Sequence, residues 1–350
     1  MFFQQISDGG CQSYVLGCEA SCSAVIIDPA LGQVERYLGI VSREGLRVRY
    51  IVETHTHADH FSAALLLRER LGARIVMHRL SPAPHVDMRV EDGHLVAVGD
   101  LRLRVLHTPG HTRDSTCIHV EDRVFTGDTL LIGGTGRTDL PSGDPEQLYD
   151  SLFGKLLRLP PETLVFPAHD YKGQGHSTVG AEITGNARLQ KTDRAAFVEM
   201  MRGLNLAAPT HLTEALRTNM TGGKTVRQLL AEAAAGTPFL SLDELAGRLD
   251  QMHNDFVILD VRERDAYARG HIPGARHLAR GQLEMKVNET FPDPTVEILT
   301  VCEFGKISTL AAATLRELGF RRAVALDGGM KSWREAGYPI DEGEEPALLI

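Results

Sequence analysis

The sequence lacks several features, and each absence narrows what the chain can be. No apolar run approaches the roughly 20 residues that a membrane-spanning helix needs, so no membrane role is expected. No Lys/Arg-rich run occurs, and 37 basic residues against 46 acidic ones leave a formal charge of -9. Neutralising a phosphate backbone takes a basic face, so nucleic acid is not an expected partner. The five cysteines, Cys11, Cys18, Cys22, Cys117 and Cys302, contain no CxxC pair and leave one over in any pairing. That is unlike a secreted disulfide framework. Cys18 and Cys22 read as small, partly buried hydrophobes. The opening Met1-Phe2-Phe3-Gln4-Gln5-Ile6 has neither the basic segment nor the apolar stretch of a secretory signal, so the cytoplasm is the expected compartment. Internal repeats and low-complexity tracts are absent.

What is present is ordinary globular composition, 43% apolar and 24% charged, over 350 residues. That length exceeds what one core usually organises and predicts two domains. From Gln12 to about Phe166, short β-rich runs keep ending in polar loops. Residues 47–52 precede Glu53-Thr54-His55, 101–106 precede His107-Thr108-Pro109-Gly110-His111, 123–125 precede Thr126-Gly127-Asp128, and 163–166 precede Pro167-Ala168-His169. Four strand ends can therefore converge on one site. Helical spacing over 62–71 and 147–159 suggests sheets covered by helices. The Gly222-Gly223 pair, a helical stretch over 226–235 and Gly236-Thr237-Pro238 mark a junction. The expected organisation is a domain over 1–223, a linker over 224–237 and a second domain over 238–350. Beyond the junction, strands at 256–260, 297–302 and 323–326 and a helix at 308–318 predict a parallel-sheet α/β domain.

The segment His55-Thr56-His57-Ala58-Asp59-His60 puts three imidazoles and a carboxylate directly after a predicted strand. With His111, Asp128 and His169 at other strand ends, the pattern points to a metal site. Imidazole and carboxylate suit Zn, Fe or Mn, so ligand chemistry alone does not name the metal.

In order and spacing these residues resemble the metallo-β-lactamase superfamily, whose hydrolases use the full set to hold two zinc ions. Gly136-Arg137-Thr138-Asp139-Leu140, Pro167-Ala168-His169-Asp170-Tyr171, Ser177-Thr178-Val179, Leu204-Asn205-Leu206 and Asn219-Met220 narrow the resemblance to persulfide dioxygenases, over residues 11 to about 223. The resemblance implies an αββα sandwich and one Fe(II) per chain on His55, His111 and Asp128. His57, Asp59, His60 and His169 would lie outside that ligand set, orienting ligands and water. Two histidines and a carboxylate leave positions open for substrate and O₂, and redox-inert zinc could not activate O₂. The implied reaction oxidises glutathione persulfide with O₂ to sulfite and glutathione. Tyr171 would reach the oxygen or substrate, and Arg137 is the basic candidate for glutathione unless it is spent on Asp139 or Asp170.

Cys302-Glu303-Phe304-Gly305-Lys306-Ile307-Ser308 follows an apolar strand and precedes a helix. Backbone N–H groups of such a loop favour a thiolate and cradle an anion, so Cys302 reads as a nucleophile, with Gly305 and Lys306 as substrate contacts. With Leu259-Asp260-Val261-Arg262-Glu263, Gly270-His271-Ile272-Pro273-Gly274-Ala275, Asp327-Gly328-Gly329-Met330 and Trp333, the region 238–342 resembles a single rhodanese domain. The resemblance implies that Cys302 accepts sulfane sulfur, exchanging it among thiosulfate, glutathione and glutathione persulfide. Many rhodaneses carry Arg where this chain has Ile307, which weakens the expected grip on thiosulfate. Arg262 and His271 read as loop-stabilising.

The expectation is an enzyme pairing persulfide oxidation with sulfur transfer, in either direction of sulfur flow; assembly into a homo-oligomer stays open. The rival is a two-zinc thioester hydrolase of the glyoxalase II type carrying a non-catalytic rhodanese-like module.

Overall fold

Apolar residues fill both faces of the strands in the first half of the chain, and this decides its layering. The computed structural model describes all residues except 205, 208–211, 251–255 and 344–350, so Asn205 lies outside the described residues. The chain divides into two units, Met1–Gly223 and Lys224–Ile350.

The first unit holds two six-stranded sheets. One runs in chain order through Phe2–Asp8, Cys11–Gly17, Ser23–Ile27, Arg47–Val52, Arg74–His78 and Met88–Val90, antiparallel at first and parallel from Ser23–Ile27 onward. The other orders Ser177–Thr178, Leu164–Pro167, Arg123–Gly127, Thr116–Val120, Leu101–His107 and Leu95–Val98, with one parallel pair, Arg123–Gly127 beside Leu164–Pro167.

Successive side chains on a strand point to opposite faces. Val15, Ile26 and Ile51 accordingly pack with Tyr37 of helix Val34–Arg43 and Leu67 of helix Ala64–Leu71. Their neighbours Tyr14, Leu16, Ile27 and Val52 meet Val105, Phe125 and Phe166 of the second sheet. Leu106, Val124 and Val165 then face Leu148 and Leu152 of helix Pro145–Gly154 and Phe197 of helix Arg194–Arg202. Three apolar seams between four layers make an αββα sandwich, as the family resemblance implies.

In the second unit a parallel sheet orders Phe239–Leu240, Val324–Leu326, Glu297–Val301, Phe256–Asp260 and Arg276–His277. Leu259 and Ile298 pack on one face and Ile258, Leu299 and the fully buried Trp333 on the other. A parallel sheet is buried on both sides, which is why its strands read as continuous apolar runs.

Boundaries move where capping chemistry decides them. The helix expected over 147–159 starts at Pro145, because the Asp144 carboxylate accepts the backbone N–H groups of Glu146 and Gln147 and proline suits the first turn. It ends at Gly154, and a short 3-10 turn, Leu156–Arg158, follows. The stretch 224–237, expected as a linker, carries helix Val226–Gly236 of the second unit, begun by a reciprocal cap between Thr225 and Gln228. Among the described residues no helix is long and apolar enough to cross a membrane.

Phe125 sits at the centre of the inter-sheet seam, its ring 4.8 Å from Tyr14 and 5.6 Å from Phe166. Phe125→Ala is expected to cost about 3–5 kcal/mol, the usual range for emptying a buried aromatic site. Denaturant unfolding followed by circular dichroism measures it; a loss below about 1 kcal/mol would mean that the seam collapses around the gap.

Candidate metal centre and cysteine loop

The strand Arg47–Val52 delivers residues 53–60 into the first site. His55 is buried, with Nδ1 3.0 Å from Thr54 Oγ1, while that hydroxyl donates to Asp28 Oδ2 at 2.8 Å. The proton of His55 therefore sits on Nδ1, and Nε2 presents a lone pair that has no partner among the described residues. Burial, and then the His57 and His111 imidazoles, hold His55 well below the usual histidine range, so it is neutral.

His111, on the loop after strand Leu101–His107, lies with Nδ1 2.8 Å from the carbonyl oxygen of Arg137. A carbonyl can only accept, so Nδ1 donates and Nε2 is free, 3.5 Å from Asp128 Oδ2. Asp128 gives its other oxygen to His169 Nδ1 at 2.6 Å. Ligand atoms of His55, His111 and Asp128 all lie within 4.8 Å of one another. Leaving a buried nitrogen such as His55 Nε2 unsatisfied costs roughly 1–3 kcal/mol, so the donor set fits a cation. Gly136 is required here: a Cβ would lie 2.0 Å from the Asp128 carbonyl oxygen and 3.0 Å from His111 Nδ1.

The other sequence-predicted residues divide into two groups. His57 turns away, its Nε2 3.1 Å from both Asp28 and Glu53. Asp59, His60 and His169 gather around Cys11, whose Sγ lies 3.5 Å from Asp59 Oδ2 and from His169 Nε2. Burial alone would lower His169, but the charge of Asp128 and hydrogen bonds to Asp128 and Asp59 raise it well above the usual range. Asn219, on helix Leu212–Thr221, donates to the backbone carbonyls of His57 and His60 at 2.9 and 2.8 Å and so pins the loop.

A cavity of about 660 Å³ opens onto His111 and Asp128, with Arg137, Tyr171, Arg188 and Leu206 among its walls. Arg137 binds both oxygens of Asp139 at 2.7 Å and the carbonyls of Leu206 and Ala207, so its guanidinium is engaged. Arg188 donates to Thr135 and has no carboxylate partner among the described residues. Tyr171 is largely exposed, its ring 5.5 Å from His169.

Sequence reading missed Asp28, Glu53, Thr54, Cys11 and Arg188. One signal was available: Val25-Ile26-Ile27-Asp28 is another apolar strand that ends in a carboxylate.

In the second unit, Cys302 is buried between strand Glu297–Val301 and helix Lys306–Glu317. Its Sγ accepts the backbone N–H of Ser308 at 3.2 Å and lies 3.3 Å from Ser308 Oγ. Gly329 lets the next segment close over this loop; a Cβ there would meet the Cys302 carbonyl oxygen at 2.4 Å. Gly305 caps the helix with φ +78°, and Lys306 is exposed. Arg262 donates to Asp260, the Gly270 carbonyl and Glu303, and His271 stacks on Tyr267 at 3.8 Å. Both hold loops, as expected of them.

The four-layer fold with its metal donors at strand ends is that of the metallo-beta-lactamase superfamily, whose model matches residues 6–169, and a rhodanese-like domain model matches 241–336. Persulfide dioxygenase ETHE1 of Bos taurus is 42% identical over 214 residues, covering 60% of this chain and 84% of the relative. The crystal structure of ETHE1 from Myxococcus xanthus superposes with a TM-score of 0.62 at 42% identity, covering 64% of this chain and all of that one. Hydroxyacylglutathione hydrolase of Anaeromyxobacter dehalogenans is 32% identical over 239 residues, covering 67% of this chain and 84% of the relative. The chain belongs to the ETHE1 persulfide dioxygenase family, extended by a rhodanese-like domain.

Thr54→Val should remove the hydroxyl between Asp28 and His55 while keeping the side-chain shape. Losses of roughly 10–100-fold in metal affinity are typical when such an orienting partner is removed. Chelator competition reads the loss, and Thr54→Ser should recover most of it; unchanged affinity would mean that His55 is oriented by packing alone.

Proposed function

We propose that the first unit oxidises glutathione persulfide with O₂ at a mononuclear iron(II) centre, and that Cys302 transfers sulfane sulfur between thiosulfate and glutathione. The observation that carries the first part is the convergence of His55, His111 and Asp128, whose ligand atoms lie within 4.8 Å of one another, with His111 and Asp128 lining a cavity of about 660 Å³. Iron(II) held there would supply the one-electron chemistry that O₂ reduction needs and zinc lacks. The overall change takes persulfide, O₂ and water to glutathione and sulfurous acid, two of the three oxygens coming from O₂.

The chain's own residues do the rest. Proton placement on Nδ1 of both histidines keeps their Nε2 lone pairs directed at the metal position. His169, bonded to Asp128 and Asp59, fixes which Asp128 oxygen faces that position. The cavity is of a size that takes a tripeptide. Arg188, which has no carboxylate partner among the described residues, is the candidate for a carboxylate of glutathione, since Arg137 is held by Asp139. The phenol of Tyr171 stands at the mouth to meet substrate.

At Cys302 the thiolate attacks the outer sulfur of thiosulfate; the S–S bond breaks and sulfite leaves with the electron pair. A glutathione thiolate then attacks the outer sulfur of the cysteine persulfide, releasing glutathione persulfide and regenerating the Cys302 thiolate. The Ser308 N–H donates to Sγ at 3.2 Å and fixes the sulfur at the head of the helix. All five cysteines are free, which fits a reducing compartment such as the cytoplasm.

A two-zinc hydrolase is the second reading, favoured by the Cys11, Asp59 and His60 donors and by the hydroxyacylglutathione hydrolase relative. Metal content and reaction separate the two. Protein loaded with one iron per chain should consume O₂ with glutathione persulfide, and zinc-loaded protein should not. Two zincs per chain with efficient glutathione-thioester hydrolysis would reverse the assignment.

The two activities should also part by mutation. Cys302→Ser should abolish thiosulfate-to-glutathione transfer and leave O₂ uptake with supplied persulfide nearly intact, because a hydroxyl cannot carry a sulfane sulfur. His111→Ala should stop O₂ uptake while anaerobic sulfite release from thiosulfate continues. Loss of both activities in either folded variant would instead require an obligatory relay between the sites.

A further inference from the structure

The Cys302 cavity is much larger than an inorganic sulfur donor. Its volume is about 790 Å³, inside the range of roughly 300–1,000 Å³ for sites that take drug-sized molecules. A sulfur oxyanion would fill only a corner of it. Val261, Ile307 and Leu310 give the walls apolar stretches suited to an organic tail.

Four arginines and two glutamates also line the cavity, and their charges are not equivalent. Glu303 is paired with both Arg262 and Arg334. Arg262 is further tied to Asp260 and the Gly270 carbonyl, so these two guanidiniums hold the cysteine loop in place. Arg280 is shared with Glu284 and Thr314 Oγ1. Arg269, just past helix Arg264–Ala268, is exposed and its guanidinium has no partner among the described residues. Glu303 is neutralised from two sides, and although the exposed Glu263 also lines the cavity, four arginines against two glutamates leave the lining net positive, with Arg269 the guanidinium in it that has no partner among the described residues.

We infer that the Cys302 cavity recognises a thiol or persulfide whose organic tail carries carboxylates, of the size and charge of glutathione, with Arg269 anchoring a carboxylate and Arg280 assisting. This rests on the reading of Cys302 as the sulfur carrier and specifies how the site selects its organic partner. The apolar walls accept the tail's backbone, and the guanidinium fixes the end that points away from the sulfur.

Alkylation of Cys302 by iodoacetamide in the full-length protein, followed by peptide mass spectrometry, tests recognition without requiring sulfur transfer. S-methylglutathione should slow alkylation, and its diethyl ester should need roughly tenfold higher concentration, the size of effect of one charge-assisted contact. Arg269→Gln should erase the difference between acid and ester, and Arg269→Lys should restore part of it. The KM split between glutathione and 2-mercaptoethanol as sulfur acceptors reads the same preference during turnover. Equal protection by acid and ester, or a difference that survives Arg269→Gln, would overturn the inference. The sulfur-carrier reading fails separately, if transfer persists in Cys302→Ser.

Discussion

One buried carboxylate organises the metal loop. Asp28 is 2% exposed and follows the strand Ser23–Ile27 with φ +49°, a conformation uncommon for a residue with a side chain. Removing a carboxylate from water costs several kcal/mol unless hydrogen bonds replace the lost solvation. Asp28 accepts three: the Thr54 N–H at 2.7 Å, the Thr54 hydroxyl at 2.8 Å and His57 Nε2 at 3.1 Å. The same contacts decide the fate of two histidines that stand two residues apart. His57, drawn to Asp28 and Glu53, is raised well above the usual range although burial opposes it. His55, reached only through the neutral hydroxyl of Thr54, stays neutral with its lone pair free.

The opposite side of the site repeats this division on one residue. Asp128 spends Oδ1 on His169 and turns Oδ2 towards His111. His169 is held at its other nitrogen by Asp59, so neither of its ring atoms is free for a cation at the His55 position. A set of seven side chains that looks equivalent in sequence is thereby sorted: His55, His111 and Asp128 bring potential ligand atoms within 4.8 Å of one another, while His57, Asp59, His60 and His169 each contact a carboxylate or an imidazole of another residue.

That sorting explains what was legible in the sequence. The strand ends before His55, His111, Asp128 and His169 could be read because each is a short apolar run followed by a polar turn, a local signal. The sandwich follows from residues such as Val124 and Phe125, apolar neighbours that must face different seams. The division of the imidazoles into ligands and supporting residues came only from the family resemblance; spacing alone does not assign it, because it depends on distant partners. Asp28 lies 29 residues before His57, and the carbonyl that fixes His111 comes 26 residues after it. The helix at Val226–Gly236 was legible as a helical stretch over 226–235, but not its place in the second unit, which rests on its packing there.

Charge at the two cavities follows a common rule. Arg137 and Arg262 are the guanidiniums built into the recognisable motifs, and each is clamped to a carboxylate two residues away, Asp139 and Asp260. Such short-range bidentate pairs set the shape of a loop and leave little charge for a ligand. The lining cations without carboxylate partners among the described residues, Arg188 at one cavity and Arg269 at the other, stand outside those clamps. At Cys302 this offsets the apolar Ile307, whose side chain offers no charge to a small anion beside the sulfur but extends the wall along which an organic tail can lie. The nearest motif arginine thus preorganises the site, and selectivity for an anionic partner falls to the residue that nothing else has neutralised.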